Sequence, residues 1–306
     1  MNFTGRDIIS IKDFSRSELD YIINVSEKIA PTFEKRSKSL DNKIMATLFF
    51  EPSTRTKLSF ESAMFRLGGM ALGFQSPKGT SVEKGENLAD TIRTVMNYAD
   101  VLVIRHPLEG AARLASQFSN IPIINAGSGS EEHPTQAMLD LFTIHKECGK
   151  IDQLNIGLVG DLRYGRTTHS LAYALSQYNV KLYLISPDLL RMRKEVIEIV
   201  RKKIQVEEAD DLNKILPNLD VVYMTRIQKE RFVEPDEYEK VKSFFRLTTE
   251  DMKKAKGDTI VMHPLPRVDE ISPTLDRTKH AIYFKQVQYG VLLRMALLSL
   301  IFGVIK

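Results

Sequence analysis

The chain has 306 residues, of which 43% are hydrophobic and 27% are charged, and its formal net charge is +4 at pH 7. This length and composition indicate a globular protein with room for two domains, and they exclude a disordered or fibrous chain. The excess of positive charge is too small and too dispersed for a nucleic-acid-binding protein, which needs a concentrated basic face.

The sequence shows no clear signal for secretion or for insertion into a membrane. Cys148 is the only cysteine, so the sequence has no internal disulfide and no cysteine-based metal site, and a cytoplasmic location is expected. The N-terminal residues lack the apolar core of a signal peptide. The most apolar segment, GVLLRMALLSLIFGVIK (290–306), is interrupted by Arg294 and is shorter than the roughly 20 residues that span a bilayer. We therefore predict a buried helix and no membrane contact.

The first half of the chain alternates apolar runs with helical patterns. Its predicted elements are a helix at 15–30 capped by Ser15, a strand at 44–50, a helix at 54–67, a strand at 70–76, a polar loop at 76–87, a helix at 88–99, a strand at 100–106, a helix at 109–118, a strand at 121–127 and a helix at 135–149. This alternation predicts a parallel sheet covered by helices.

A second alternating series follows Gly149. It predicts strands at 155–161, 180–186, 220–226 and 259–265, helices at 165–178 and 191–204, and a charged functional loop or lid at 228–258. The predicted fold class is α/β, with two doubly wound parallel-sheet domains at 1–133 and 150–286 and a C-terminal helix at 287–306 that packs back on the first. Ligands of such sheets bind at the carboxyl ends of the strands, so we expect the active site in the cleft between the domains.

Four polar residues follow the first strand and begin a helix: Ser53, Thr54, Arg55 and Thr56. A helix N-terminus offers free backbone N–H groups and a partial positive charge. Helix capping requires one hydroxyl, whereas three hydroxyls and a guanidinium favour a phosphate site. The Walker pattern GxxxxGK[ST] is absent from the sequence.

Two later strands of the first domain also end in polar residues. Arg105 and His106 end one strand, and His133 and Gln136 lie at the start of the helix that follows another. Donors converging at this edge can polarise a carbonyl group. A single buried histidine is more often structural, but the whole cluster favours a site.

The second domain carries its own cationic corner. In GLVGDLRYGRTTHS the glycines at 157, 160 and 165 do not have the GxGxxG spacing, which argues against a dinucleotide site. Arg166 and Thr167 begin a helix there, Arg226 and Gln228 follow another strand, and the third strand end supplies Leu265, Pro266 and Arg267.

Together these clusters predict two anionic ligands brought together by two domains. Neither a metal-ligand spacing nor a GxSxG motif occurs in the sequence. We therefore expect catalysis by orientation and electrostatics, with no metal, no cofactor and no covalent intermediate.

Five motifs occur in order over nearly the whole chain: FFEPSTRTKLSFE, HPTQ, GRTTHS, TRIQKERF and HPLPRVDEI. In these motifs and their order the sequence resembles the aspartate/ornithine carbamoyltransferase family. The last two look like the aspartate branch, since the ornithine branch typically has His-Cys-Leu-Pro and a Ser-Met-Gly loop. The resemblance implies transfer of the carbamoyl group of carbamoyl phosphate to the amine of L-aspartate, in pyrimidine biosynthesis.

The resemblance also implies roles for individual residues. The catalytic set would be Arg55, Thr56, Lys84, Arg105 and His133. Carbamoyl phosphate would be bound by these five residues together with Ser53, Thr54, Ser81, Gln136, Leu265 and Pro266. Aspartate would be bound by Lys84, Arg166, Thr167, Arg226 and Gln228.

Assembly and motion follow from the same resemblance. Family members form trimers with shared active sites, so Ser81 and Lys84 would act in a neighbouring subunit. On domain closure Glu51 would pair with Arg166 and Arg231. A zinc-containing regulatory chain is a further candidate partner, with Arg113 as a candidate contact.

Three rival functions are less favourable. A carbamoyltransferase acting on ornithine would need an acidic partner for the side-chain amine, but the second-domain clusters are cationic. A non-catalytic paralogue would be expected to lose the catalytic donors, and all are present. A nucleotide-dependent oxidoreductase is disfavoured by the glycine spacing.

Overall fold

The computed structural model describes residues 1–227, 241 and 246–305. The chain divides into two compact units, the first comprising Met1–Phe142 and Gln288–Lys306 and the second comprising Thr143–Val287. Gln228, Arg231 and most of the predicted lid at 228–258 lie outside the described residues.

The first unit contains a four-stranded parallel sheet in the order β2-β1-β3-β4. Its strands are β1 Ile44–Phe49, β2 Met70–Phe74, β3 Val101–His106 and β4 Ile123–Ser128. The helices in this half of the chain are α1 Arg16–Ile29, α2 Thr54–Arg66, α3 Leu88–Val95, α4 Ala111–Ser116 and α5 Pro134–Cys148. The chain leaves β1 first toward β2 and later continues on β1's other side with β3. The carboxyl ends of β1 and β3 therefore flank a topological switch point, where ligands of open α/β sheets bind.

The described part of the second unit contains a five-stranded parallel sheet in the order β7-β6-β5-β8-β9. Its strands are β5 Asn155–Val159, β6 Lys181–Ile185, β7 Gln205–Ala209, β8 Val221–Met224 and β9 Ile260–Met262. The described helices of the second half are α6 Arg166–Leu175, α7 Lys194–Arg201, α8 Leu212–Ile215 and α9 Tyr283–Ile301. Here the switch point lies between β5 and β8. The two parallel sheets confirm the predicted fold class.

Local sequence explains where these elements begin and how they are buried. Ser15 and Glu18 form a capping box at the start of α1, as the sequence predicts. Strands β1 and β3 are apolar runs because helices cover parallel sheets on both faces; their residues are almost all buried. Edge strand β2 differs, since Met70 is 52% exposed.

The final helix, α9, packs closely against α5. A Cβ on Gly290 would lie 3.1 Å from Cδ2 of Leu139, so the absence of a side chain permits this approach. Along the ranges that the model describes, no helix is both long enough and apolar enough to cross a membrane.

Candidate active site

Residues Ser53–Thr56 form the end of the connection from β1 and the first turn of α2; we call this segment the Ser53–Thr56 corner. Ser53 is the N-cap residue in extended conformation, yet its side chain makes no capping hydrogen bond. Its Oγ donates instead to Oγ1 of Thr56 over 3.0 Å. Thr56 is buried, whereas Thr54 and Arg55 are exposed. The Ser53 hydroxyl therefore does not serve the simple capping role, and the helix start keeps its affinity for an anion.

Arg105 lies beside this corner because β3 pairs with β1 in register. Phe49, the last residue of β1, is the partner of Arg105. Nη2 of Arg105 lies 3.1 Å from Oε1 of Glu51, and Nη1 lies 3.3 Å from the carbonyl oxygen of Ala126. The guanidinium is thus held by groups that follow β1 and by a residue of β4.

His106 is a structural neighbour in this cluster. Its ring lies against Phe50, with the ring centroids 4.9 Å apart, and its Nδ1 accepts a hydrogen bond from the backbone N–H of Leu108. Burial lowers the pKa of His106 below 6.5, an effect that the charge of Glu51 partly opposes. A neutral His106 that accepts from the backbone fits the structural interpretation.

His133, Thr135 and Gln136 form the start of α5. The carbonyl oxygen of His133 accepts from the backbone N–H of Gln136, and the His133 side chain is buried. Nε2 of Gln136 donates to Oδ1 of Asp140 over 2.9 Å. Thr135 is fully buried, and its Oγ1 has no hydrogen-bond partner within the described residues.

Ser81 and Lys84 lie on the loop between β2 and α3. They begin and end one 3-10 turn, in which the side chain of Thr80 accepts from the N–H of Val82 and Gly85 closes the turn at φ 95°. Both side chains are exposed. Their exposure leaves them accessible to a ligand or a second chain, and their reach into a neighbouring subunit stays a prediction.

In the second unit, the corner after β5 is tightly braced. Asp161 is buried, its backbone N–H donates to Oγ1 of Thr225, and its Oδ1 accepts from the N–H of Tyr164. A Cβ on Gly165 would lie 2.5 Å from the Asp161 carbonyl oxygen, so only glycine fits there. Sequence reasoning missed Asp161; its position between two glycines was the available signal.

The predicted cationic residues lie on neighbouring strand ends of the second sheet. Arg166 and Thr167 begin α6 after β5, and Arg226 follows β8. Val159 at the end of β5 pairs with Met224 at the end of β8, so the two corners lie at the same edge of the sheet. Gln228 lies outside the described residues.

Leu265 and Pro266 follow β9, the neighbour of β8. Leu265 has φ of 50°, a left-handed conformation that is rare for a branched side chain. Its N–H donates to Nδ1 of His263, and Nε2 of His263 in turn lies 2.7 Å from Oε1 of Glu270. Because Nδ1 accepts, Nε2 carries the ring hydrogen and donates it to Glu270. His263 and Glu270, both missed from the sequence, brace the Leu265 backbone.

Two further observations concern possible metal ligands and the cysteine thiol. In the part of the chain that the model describes, no group of three or more His, Cys, Asp or Glu side chains could hold a metal ion. Burial, followed by the charges of Asp220, Asp258 and Glu147, raises the pKa of Cys148 to about 11. Such a thiol is a poor nucleophile at neutral pH.

Comparisons with known proteins cover both units. A family model described as the aspartate/ornithine carbamoyltransferase carbamoyl-P binding domain matches residues 6–146, and one described as the Asp/Orn binding domain matches residues 152–301. The aspartate carbamoyltransferase catalytic subunit of Thermococcus kodakarensis is 58% identical over 100% of this chain and 99% of its own length.

Solved structures give the same result. The catalytic subunit of M. jannaschii aspartate transcarbamoylase is 50% identical, with a TM-score of 0.90 over 97% of this chain and 98% of that one. Aspartate transcarbamoylase of Trypanosoma cruzi, solved in complex with carbamoyl phosphate and aspartate, is 39% identical, with a TM-score of 0.91 over 97% and 95%.

The two parallel-sheet domains, their cationic and hydroxyl groups at the strand ends and these comparisons together identify a two-domain α/β transferase. The chain belongs to the aspartate/ornithine carbamoyltransferase family, which confirms the resemblance found in its sequence.

Proposed function

We propose that this chain is the catalytic chain of an aspartate carbamoyltransferase, which converts carbamoyl phosphate and L-aspartate into N-carbamoyl-L-aspartate and phosphate. The observation that carries the proposal is the Ser53–Thr56 corner at the switch point of the first sheet. The proposal is further supported by structural similarity, over 97% of the chain, to a transcarbamoylase solved in complex with carbamoyl phosphate and aspartate.

The phosphate of carbamoyl phosphate is bound at the start of α2. The exposed Arg55 supplies charge-assisted hydrogen bonds, while the backbone N–H groups of the helix start and its hydroxyls supply the rest. The predicted phosphate contacts from the described residues are Ser53, Thr54, Arg55, Thr56, Ser81 and Lys84.

The reacting carbonyl is polarised by Thr56, Arg105 and His133. Arg105 is only 11% exposed at its side chain, and a donor in such a site acts in a low dielectric, where it stabilises an oxyanion strongly. Gln136 accepts from the carbamoyl amine, and the backbone carbonyl oxygens of Leu265 and Pro266 accept from ligand N–H groups.

Aspartate carboxylates are bound by the cationic corner of the second unit. Arg166, Thr167 and Arg226 lie at one edge of the sheet, and two guanidinium groups match two carboxylates. Lys84 and Gln228 complete this predicted set.

The reaction is an acyl transfer. The lone pair of the aspartate α-amine forms a C–N bond to the carbamoyl carbon, giving a tetrahedral oxyanion. The oxyanion collapses, the bond from carbon to the phosphate oxygen breaks, and phosphate leaves with that electron pair. The departing phosphate accepts the proton that the amine loses, so no side-chain base is required. Arg55 and Lys84 stabilise the charge that grows on phosphate.

A homotrimer with shared active sites is part of the proposal. Four large apolar side chains of α2 and β2 are exposed in the single chain: Leu58, Phe65, Met70 and Leu72. These two elements pack against each other, and exposed apolar side chains on neighbouring elements suit a subunit contact. Both elements precede the loop carrying Ser81 and Lys84, which suits the delivery of these residues to a neighbour.

The wider setting follows from the activity. We place the reaction in pyrimidine biosynthesis in the cytoplasm, with a zinc-containing regulatory chain as a candidate partner. Arg113, which pairs with Asp13 at the surface, is the candidate contact. Closure with Glu51 pairing to Arg166 and Arg231 stays a prediction, because Arg231 lies outside the described residues.

A panel of amine substrates tests the proposal. The purified chain is incubated with radiolabelled carbamoyl phosphate and, separately, with aspartate, ornithine, glutamate, asparagine or putrescine. We expect a carbamoylated product with aspartate alone. Product with ornithine alone would move the chain to the other branch of the family, and no product with any amine would overturn the proposed activity.

A further inference from the structure

Two charged side chains lie inside the first unit and have no role in the proposed reaction. Asp140 on α5 is fully buried, and Arg294 on α9 is 3% exposed. Charged groups are almost never buried to this extent unless they are paired. Their position therefore requires an explanation beyond apolar packing.

Arg294 connects α9 to the helix that begins with the phosphate corner. Its Nη1 donates to Oγ of Ser59 on α2 over 2.9 Å and to the carbonyl oxygen of Gly290 over 3.1 Å. The guanidinium also lies over the ring of Phe60, 4.8 Å from the centroid. Burial lowers the pKa of Arg294 to about 10, and the charge of Asp140 opposes this fall. Arg294 therefore remains a cation at neutral pH.

Asp140 in turn fixes the amide of Gln136. A carboxylate only accepts hydrogen bonds. The group of Gln136 that lies 2.9 Å from Oδ1 of Asp140 is therefore its NH2 group, Nε2. The amide plane is then set, and Oε1 is the atom left for a ligand.

This orientation has a chemical consequence. The amine of carbamoyl phosphate carries only donors, so it needs an acceptor. If the amide of Gln136 were free to turn, Nε2 would face those donors in part of the population, and binding would weaken. A carboxylate at Asp140 can only accept a hydrogen bond, so it opposes this rotation, and its charge interacts with that of Arg294.

We propose that Asp140 and Arg294 are positioning residues that select carbamoyl phosphate over acyl phosphates without an amine, because they hold Oε1 of Gln136 toward the carbamoyl N–H groups. The inference rests on the proposed function, and it adds a source of specificity outside the ligand-contacting residues.

Acetyl phosphate is the decisive probe, because a methyl group replaces the amine of carbamoyl phosphate. The dissociation constants of both ligands are measured by calorimetry on the wild type and on Asp140→Asn, which keeps the side-chain volume. An asparagine can donate to Oε1 of Gln136, so the glutamine amide can turn. We expect carbamoyl phosphate to bind about 2- to 10-fold more weakly, the range for a lost hydrogen bond between neutral groups, while acetyl phosphate binding is unchanged.

Two further variants identify the path of the effect. In Gln136→Ala the preference for carbamoyl phosphate over acetyl phosphate should already be lost. Adding Asp140→Asn to this variant should therefore leave the ratio of the two dissociation constants unchanged. The control Ser26→Ala removes a buried helix hydroxyl whose bond is to its own helix at Ile22; it should leave the ratio at the wild-type value.

If Asp140→Asn weakened the binding of both ligands equally, the ratio of their dissociation constants would stay unchanged. This result would indicate a purely structural role and overturn the proposal, as would wild-type affinity for both ligands. If Asp140→Asn does not fold, Arg294→Met decides the question. It removes the positive charge that interacts with Asp140 while keeping an unbranched side chain, and the preference for carbamoyl phosphate should fall as in Asp140→Asn; an unchanged preference there overturns the proposal. Failure of the proposed function would be seen separately, as wild-type protein that carbamoylates no aspartate.

Discussion

Arg105 donates to Glu51 over 3.1 Å at the point where β3 and β1 end side by side. A second bond from Arg105 reaches the carbonyl oxygen of Ala126 on β4. The guanidinium is therefore positioned by β3, by β4 and by a residue after β1 before any ligand binds, and the predicted closure would transfer Glu51 from Arg105 to Arg166 and Arg231. A donor held in advance costs no reorganisation when an oxyanion forms, which is the physical basis of electrostatic catalysis.

The substitution Arg105→Lys tests this preorganisation. Lysine is a single point charge and cannot hold Glu51 and Ala126 with a planar fork. We expect kcat to fall by about 10²–10³-fold, as for the loss of one oxyanion donor, in a steady-state assay with saturating substrates. Arg201→Lys is the control, because Arg201 pairs with Glu208 at an exposed site. Wild-type kcat in Arg105→Lys would show that charge alone is sufficient there.

Thr56→Val tests the role of one hydroxyl at the helix start. Valine keeps the shape of threonine but cannot bond to Ser53 or to the ligand. We expect kcat/KM for carbamoyl phosphate to fall by about 10²-fold. The matched control is Thr47→Val, which removes a buried hydroxyl bonded to the carbonyl oxygen of Leu72. This control should lower the free energy of unfolding by about 1 kcal/mol and leave kcat/KM unchanged; equal kinetic losses in both variants would refute a specific role for Thr56.

The acid stability of the second unit should depend on Glu270. Burial would raise the pKa of Glu270, but hydrogen bonds from His263 and Val268 outweigh it and hold the pKa below 4.5. A carboxyl group whose pKa is depressed on folding stabilises the folded state above its unfolded pKa. This contribution is lost as the pH falls through the folded pKa.

The measurement is the urea midpoint of unfolding between about pH 3 and pH 7. The urea midpoint of the wild type should decrease as the pH falls below 4.5. The urea midpoint of Glu270→Gln should be lower than that of the wild type at pH 7 and should decrease less as the pH falls. Glu198→Gln, at an exposed position, should follow the wild-type curve. A Glu270→Gln curve parallel to the wild type would contradict the assignment.

Met70→Glu tests the proposed contact surface on β2. Met70 is 52% exposed on an edge strand, so a charge should be tolerated by the folded chain but not at an apolar interface. We expect light scattering after gel filtration to report single chains instead of trimers, and activity to be lost because Ser81 and Lys84 no longer reach a neighbour. Leu189→Glu, at an exposed apolar position in the second unit, is the control. A trimeric and active Met70→Glu would place the interface elsewhere.

Sequence patterns predict the fold well where local rules act. Apolar runs followed by helical periods give the strands of both sheets, and the Ser53–Thr56 corner follows because a parallel strand must feed a helix. Strand β7 was missed, since Gln205–Ala209 lies at a sheet edge and carries two glutamates instead of an apolar run.

Interactions between distant parts of the sequence were harder to predict. Arg105 and Glu51 are 54 positions apart and meet only through the register of two strands. Arg294 and Ser59 are 235 positions apart. The single charge in an otherwise apolar helix was visible in the sequence, but its partners depend on how α9 packs against α2 and α5.

One measurement tests the central claim most directly. The purified chain is mixed with ¹³C-labelled carbamoyl phosphate and L-aspartate, and ¹³C and ³¹P NMR follow the label and the phosphate together. We predict that the label appears in N-carbamoyl-L-aspartate and that one phosphate is released for each product formed. Release of phosphate without a carbamoylated product, or no dependence on aspartate, would contradict the account.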